Sequence, residues 1–114
     1  MKIKVLLVDD EKDFVEALAE RLEIRDFELT KAFDGDEALA SIGNVDVVVL
    51  DVLMPGKDGL TVLREIKKTK PLVEVIMLTG NATVPSAIEG LQSGAYDYLM
   101  KPTETKDLIA KIVL

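Results

Sequence analysis

The chain has 114 residues and a formal net charge of −7 at pH 7, and it contains no cysteine and no histidine. This length corresponds to one domain with a sizeable core. The missing thiol and imidazole groups exclude disulfide bonds, thiolate metal sites and base catalysis by histidine, so a bound metal ion would need oxygen ligands. The acidic balance argues against direct binding to nucleic acids or anionic membranes. No apolar run reaches the length of a signal peptide or a membrane span, and we expect a cytoplasmic protein.

Apolar runs and helical patterns alternate along the chain. Strands are predicted at 3–8, 28–33, 45–50, 74–78 and 95–100, and helices at 11–24, 36–42, 59–70, 83–93 and from 105 onward. The run V-D-V-V-V-L before Asp51 is typical of a parallel strand buried on both faces. Short loops between the elements predict an α/β fold of the flavodoxin-like, doubly wound (βα)5 type, with a five-stranded parallel sheet in the order 2-1-3-4-5.

The ends of the helices carry their own signals. Asp58 and an aspartate of the turn at 34–36 are suited to cap helix N-termini, whereas Gly43 and Gly94 are suited to follow helix C-termini. The last helix reaches the end of the sequence without a stop signal. We therefore expect residues 1–114 to form one domain with a truncated final helix, taken from a longer chain whose further domains are absent.

Polar side chains stand at the ends of four predicted strands. Asp9 and Asp10 follow the first strand, Asp51 follows the third, Thr79 follows the fourth and Lys101 follows the fifth. The carboxyl ends of parallel strands share one edge of the sheet, where open α/β folds bind their ligands, and in this strand order the first and third strands are neighbours. Three clustered carboxylates repel one another, so either one stays protonated or a cation sits among them. Hard oxygen ligands suit Mg²⁺, with Mn²⁺ as a substitute.

This combination of groups is suited to phosphoryl transfer. The Asp51 carboxylate can attack phosphorus and form an aspartyl phosphate. Such a reaction chiefly needs positioning and positive charge near the phosphoryl oxygens, which Lys101 and a bound cation would supply. The Thr79 hydroxyl can donate a hydrogen bond to one of those oxygens.

Four short motifs occur in this order: D-D at 9–10, D-V-L-M-P-G-K-D-G at 51–59, T-G at 79–80 and G-A-Y-D-Y-L-M-K-P at 94–102. Together they resemble the receiver domain of bacterial two-component response regulators, over nearly the whole chain. The resemblance implies that Asp51 accepts a phosphoryl group from a histidine kinase. It also implies that Asp9, Asp10 and Asp51 hold a Mg²⁺ ion, with Asp10 and Asp51 as the direct side-chain ligands and Leu53 contributing its backbone carbonyl.

Further roles follow from the resemblance. Thr79 and Lys101 would bind the phosphoryl group, and Tyr98 would turn inward as an aromatic switch when Thr79 moves. The peptide bond between Lys101 and Pro102 would be cis, although X-Pro bonds are mostly trans. Two positions tune the hydrolysis of the phosphoryl group in the family: Leu53 and Asn81.

The resemblance implies a phosphorylation-controlled signalling switch and not a conventional enzyme, although such a domain assists its own phosphorylation and dephosphorylation. The expected partner is a sensor histidine kinase or a phosphotransfer protein of a phosphorelay. Phosphorylation would change the face formed by the fourth helix, the fifth strand and the fifth helix, which would contact an output domain or a second copy in a homodimer. Neither nucleic acid nor a membrane is expected to bind this domain directly.

Other interpretations of the same residues compete with this one. Taken singly, Asp9 and Asp10 could cap a helix, Asp51 could form a turn, Thr79 could be a satisfied hydroxyl and Lys101 a solvated charge. A phosphotransferase or phosphatase could also pass through an aspartyl phosphate, but it would need a second acid or base carboxylate and a cap over its substrate. A receiver-like binding module without phosphorylation is a further alternative. A flavin or nucleotide module is disfavoured because the acidic residues after the first strand would repel a phosphate.

Overall fold

The computed structural model describes residues 2–80 and 84–113, which form five strands and five helices in alternation. The strands are β1 (Lys4–Val8), β2 (Glu28–Ala32), β3 (Val47–Leu50), β4 (Glu74–Thr79) and β5 (Asp97–Met100). The helices are α1 (Lys12–Ile24), α2 (Gly35–Ala40), α3 (Gly59–Thr69), α4 (Val84–Gln92) and α5 (Thr105–Ile112). None of these helices is long and apolar enough to cross a membrane.

The five strands form one sheet in the order β2-β1-β3-β4-β5, and every neighbouring pair is parallel. The predicted fold class and strand order are therefore confirmed. In the register of the sheet, Val8 of β1 lies opposite Leu50 of β3, so these two strands end at the same level. The residues that follow them consequently meet at one edge.

Each strand contributes to two apolar cores, because successive side chains of a strand point to opposite faces of the sheet. Leu6 and Val8 face the core shared with α2 and α3, whereas Val5 and Leu7 face the core shared with α1 and α5. All four residues of β3 are buried. A strand covered on both faces requires a continuous apolar run, which explains the valine-rich sequence before Asp51.

Two predicted caps are present, and one predicted helix end is wrong. The side chains of Asp34 and Asp58 each accept a hydrogen bond from a backbone N–H in the first turn of their helix, at 2.8 Å. The second helix was expected to reach Ile42 and to close at Gly43, but α2 ends at Ala40. The prediction took the apolar Ile42 as a residue of the helix. Ile42 is buried, but it lies in the turn that follows the helix.

The ends of α1 and α4 have the same hydrogen-bond pattern with different residues. Gly94 follows α4 with a φ of +109°, as its type predicts. At the corresponding position after α1, Asp26 has a φ of +70°. Its N–H bonds to the Glu23 carbonyl at 3.0 Å, and the next residue, Phe27, bonds to Leu22 at 3.3 Å. Asp26 therefore holds a left-handed conformation that glycine adopts at lower cost.

Candidate functional site

Three carboxylates meet at the carboxyl edge of the sheet. Asp9 and Asp10 follow β1, Asp51 follows β3, and one carboxylate oxygen of each lies within 4.8 Å of the others. Asp9 and Asp51 are buried, with only 3% and 6% of their surface exposed, whereas Asp10 is exposed. The adjacency of β1 and β3 creates this cluster, as the strand order predicted.

Backbone hydrogen bonds hold the two buried carboxylates in place. The Asp51 N–H donates to the Val8 carbonyl at 3.0 Å, and the Asp9 N–H donates to the Ala32 carbonyl at 3.2 Å. Both bonds continue the ladder of the sheet by one residue beyond its strands. The position of the cluster is therefore set by the most regular part of the fold.

The loop after Asp51 returns tightly beneath it to start α3. The Gly59 N–H donates to the Val52 carbonyl at 2.7 Å. A Cβ atom on Gly59 would lie 2.1 Å from the Asp51 carbonyl oxygen and 2.7 Å from the Val52 Cα. No side chain fits in that space, so the loop requires glycine at this position. Gly56 in the same loop has a φ of +79°, a left-handed conformation that glycine adopts readily.

A cation lies beside the carboxylates. The Lys101 Nζ donates to Asp9 at 2.5 Å and to Glu11 at 3.1 Å, and it stands 4.1 Å from the centroid of the Phe14 ring. The Lys101 backbone N–H bonds to the Thr79 carbonyl at 2.9 Å, which joins the ends of β4 and β5. The Lys101–Pro102 peptide bond is cis.

Burial and pairing act on the ionisation of these groups in opposite directions. Burial raises the pKa of Asp9, the Asp51 charge acts in the same direction, and the hydrogen bonds from Lys101 and the Glu11 N–H oppose them. Burial alone would lower the pKa of Lys101, but its hydrogen bonds to Asp9 and Glu11, together with the charges of Asp9 and Asp51, outweigh burial and raise that pKa. Lys101 is therefore a permanent cation at neutral pH.

The donor set fits a hard divalent cation. All three clustered side chains offer carboxylate oxygens, the ligands that Mg²⁺ prefers, and one of them reaches solvent, where water ligands can complete the coordination. Lys101 balances only part of their charge. Among the described residues, the cluster of Asp9, Asp10 and Asp51 offers such an ion its side-chain ligands. Leu53 lies in the adjoining loop, and its side chain is exposed.

Thr79 and Tyr98 lie on the β4 and β5 side of this edge. Thr79 ends β4 and is 1% exposed. Tyr98 is half-buried and packs against the core under α3. Its ring lies beside Gly90 of α4, where an added Cβ would stand 3.4 Å from the ring. Asn81 and the predicted helix start at Thr83 lie outside the described residues.

Two residues near the site were not predicted from the sequence. Glu11 was assigned only to the start of the first helix, and Phe14 only to its apolar face, yet both contact the Lys101 ammonium. Their sequence context carries no signal for this role. The simple capping alternative for Asp9 does not describe the structure, because Glu11 is the N-cap residue of α1 and Asp9 accepts its N–H at 3.0 Å.

The sequence matches the family described as "Response regulator receiver domain" over residues 5–113. It is 41% identical over 110 residues to the transcriptional regulatory protein CpxR of Klebsiella pneumoniae, a match covering 96% of this chain and 47% of CpxR. It is 39% identical over 110 residues to the uncharacterized transcriptional regulatory protein YkoG of Bacillus subtilis, covering 95% of this chain and 48% of YkoG. The chain thus spans about half the length of the curated relatives it matches.

Solved structures share the fold closely. A CheY-like receiver domain from Methanospirillum hungatei superposes with a TM-score of 0.95 at 30% identity, covering 99% of this chain and 92% of that chain. The BeF3-activated receiver domain of DrrB, from Thermotoga maritima, superposes with a TM-score of 0.92 at 33% identity, covering 99% and 96%. The family match extends over almost the whole chain, and the fold agrees with it. This protein therefore belongs to the response regulator receiver domain family of two-component signalling systems.

Proposed function

We propose that this receiver domain is a switch in which Asp51 accepts a phosphoryl group from a histidine kinase, with Mg²⁺ bound at the acidic cluster. The observation that carries the proposal is the convergence of Asp9, Asp10, Asp51 and Lys101 at one edge of the sheet, from three strands far apart in sequence. A structural role for any one of these residues would not require the others beside it. Their shared position supports the phosphoryl chemistry.

In the proposed step, an Asp51 carboxylate oxygen forms a bond to phosphorus while the bond from phosphorus to the kinase imidazole nitrogen breaks. The nitrogen keeps the electron pair of that bond, so the products are an aspartyl phosphate and an unmodified histidine. Bound Mg²⁺ would supply positive charge to the carboxylates and the phosphoryl oxygens. Asp9, Asp10 and Asp51 would hold the ion, with Asp10 and Asp51 as its direct side-chain ligands and Leu53 contributing its backbone carbonyl.

Two side chains of this chain would bind the transferred group. The Lys101 ammonium, now bonded to Asp9 at 2.5 Å, would pair with a phosphoryl oxygen. The Thr79 hydroxyl would donate a hydrogen bond to another. The phosphorylated Asp51 would carry about −1.5 to −2 charge in place of the −1 of its carboxylate, which favours these new contacts over the existing ones.

The same contacts would carry the change away from the site. Lys101 is joined to Thr79 by a backbone hydrogen bond, and Tyr98 on β5 packs against Gly90 of α4. A movement of Thr79 and Lys101 toward the phosphoryl group would therefore alter the room available to the Tyr98 ring and the position of α4. Switches of this kind bias an element that has two arrangements.

The face formed by α4, β5 and α5 is the proposed contact surface for an output domain or a second copy. Three large apolar side chains on α4 and β5 are half exposed there: Ile88, Leu91 and Met100, at 50%, 48% and 58%. Relatives about twice as long as this chain support the proposal that residues 1–114 are the receiver domain of a longer cytoplasmic regulator. Its upstream partner would be a sensor histidine kinase or a phosphotransfer protein.

The test of the acceptor is a mass measurement after incubation with Mg²⁺ and acetyl phosphate, whose acetate is the leaving group. The wild type is expected to gain one phosphoryl group, and Asp51→Asn none. Asp34→Asn is the matched control, because asparagine caps a helix as well as aspartate and the residue lies outside the site. Omitting Mg²⁺ with a chelator should abolish the gain. Equal phosphorylation of Asp51→Asn and the wild type would refute the assignment.

A further inference from the structure

Two residues outside the acidic cluster help to hold the Lys101 side chain in place. Its Nζ bonds to Asp9, but it also bonds to Glu11 at 3.1 Å and stands 4.1 Å from the Phe14 ring centroid. Glu11 and Phe14 belong to the start of α1 and are about 90 residues away in sequence. The ammonium is therefore enclosed by two carboxylates and an aromatic face, and only 14% of the Lys101 side chain is exposed.

Glu11 is suited to hold this lysine without being part of the cluster. Its backbone N–H donates to the Asp9 carboxylate at 3.0 Å, which fixes its main chain beside the site. Its side chain is 67% exposed and projects back to Lys101. Phe14 lies one turn further along α1, where the face of its ring attracts the same cation.

A phosphoryl group on Asp51 would pair with the Lys101 ammonium, which now pairs with Glu11. An ammonium has three donors. Two of them are already bonded to carboxylates, at 2.5 Å and 3.1 Å. The bond to Glu11 is the weaker of the two by distance and the more exposed, so it is the one that exchanges when a dianionic group arrives. The bond to Glu11 therefore competes with the incoming phosphoryl group for the Lys101 ammonium.

We propose that Glu11 is a positioning residue that withholds Lys101 from the incoming phosphoryl group and so sets the donor concentration at which the domain is phosphorylated. This inference rests on the proposed phosphorylation of Asp51. When only a fraction of the molecules has the arrangement that can bind a ligand, the apparent affinity for that ligand falls in proportion to the fraction. Removing the competing charge should therefore change the apparent affinity for the donor and leave the maximal rate unchanged.

The kinetic test compares initial rates of phosphorylation over a range of acetyl phosphate concentrations with saturating Mg²⁺. In Glu11→Gln the concentration giving half the maximal rate is expected to fall by about two- to fivefold, the effect of one exposed ion pair. Asp13→Asn is the matched control, because Asp13 is a carboxylate of the first turn of the same helix that lies outside both ion pairs of Lys101. Its half-saturating concentration should equal that of the wild type.

A spectroscopic measurement reports the position of Lys101 directly. In protein labelled with ¹³C at lysine Cε, the Lys101 methylene signal should be shifted upfield by the Phe14 ring, and Phe14→Leu identifies that signal by abolishing the shift. In Glu11→Gln without donor the shift should be reduced, whereas in Asp13→Asn it should be retained.

The two measurements separate the possible failures. An unchanged half-saturating concentration in Glu11→Gln, or an equal fall in Asp13→Asn, overturns the positioning role while the phosphorylation of Asp51 stands. A wild type that gains no phosphoryl group refutes the proposed function. In that case the lysine signal still decides whether Glu11 holds Lys101, because an identical shift in Glu11→Gln and the wild type excludes it.

Discussion

Replacement of Gly59 by alanine perturbs the loop that places Asp51. The added Cβ would lie 2.1 Å from the Asp51 carbonyl oxygen and 2.7 Å from the Val52 Cα. Since real Cβ contacts are not shorter than 3.0 Å, the first of these atoms must move by at least 0.9 Å (3.0 minus 2.1). Both obstacles are backbone atoms, so no change of side-chain rotamer relieves the clash.

The cost follows from two effects. Overfilling a packed site costs about 1–3 kcal/mol. The Gly59 N–H bond to the Val52 carbonyl, 2.7 Å long, is lost or stretched as the chain moves, at a further cost of about 1 kcal/mol. We expect the free energy of unfolding to fall by about 2–4 kcal/mol, within the total of about 5–15 kcal/mol of a typical domain, so the variant should still fold. A displacement of this size near Asp51 should also slow its phosphorylation by about 10- to 100-fold.

Urea unfolding followed by circular dichroism measures the first effect, and the rate of mass gain with acetyl phosphate measures the second. The urea midpoint of Gly59→Ala is expected to fall by about 1 M or more. Gly43→Ala is the matched control, because nothing lies within 4 Å of its added Cβ, and its stability should be unchanged or raised by up to about 1 kcal/mol. Equal midpoints for Gly59→Ala and the wild type would refute the close approach of the loop to Asp51.

Three further substitutions test other parts of the fold. Asp26→Gly should raise the free energy of unfolding by about 1 kcal/mol in urea, because glycine adopts the left-handed conformation at lower cost; an unchanged midpoint would contradict this. Gly90→Ala places a methyl group 3.4 Å from the Tyr98 ring, an ordinary contact, and should stabilise α4 by about 0.5–1 kcal/mol; a lower melting temperature would show that the ring needs more room. For Asp97, burial would raise the pKa, but the hydrogen bonds from Lys111 and from the Tyr98 N–H, together with the Lys111 charge, outweigh burial and lower the pKa. A carboxylate whose pKa is lower in the folded than in the unfolded protein stabilises the fold at pH values above its unfolded pKa. This stabilisation is lost as the pH falls through the folded pKa. The urea midpoint of Asp97→Asn should therefore lie below that of the wild type near neutral pH, and the two should converge as the pH falls through the folded pKa of Asp97; a difference that stays constant over the whole acid range would exclude the ion pair as its cause.

Much of the fold could be predicted from local patterns. The run before Asp51 indicates a strand buried on both faces, because only a strand covered by two layers is apolar throughout. Asp58 could be assigned as a cap because capping depends on residues three apart. The end of α2 could not be predicted in the same way. An apolar residue such as Ile42 gives the same sequence pattern whether it is buried from a helix or from the turn that follows it.

The groups that reach the edge of the sheet follow from the order of elements along the chain, because parallel strands run in one direction and their carboxyl ends coincide. Asp9, Asp10, Asp51 and Lys101 could therefore be placed together without coordinates. The partners of these groups at that edge depend on how the helices pack. Glu11 meets Lys101 across a separation of 90 residues, and such a contact depends on how α1 packs over the sheet, not on any pattern within either segment.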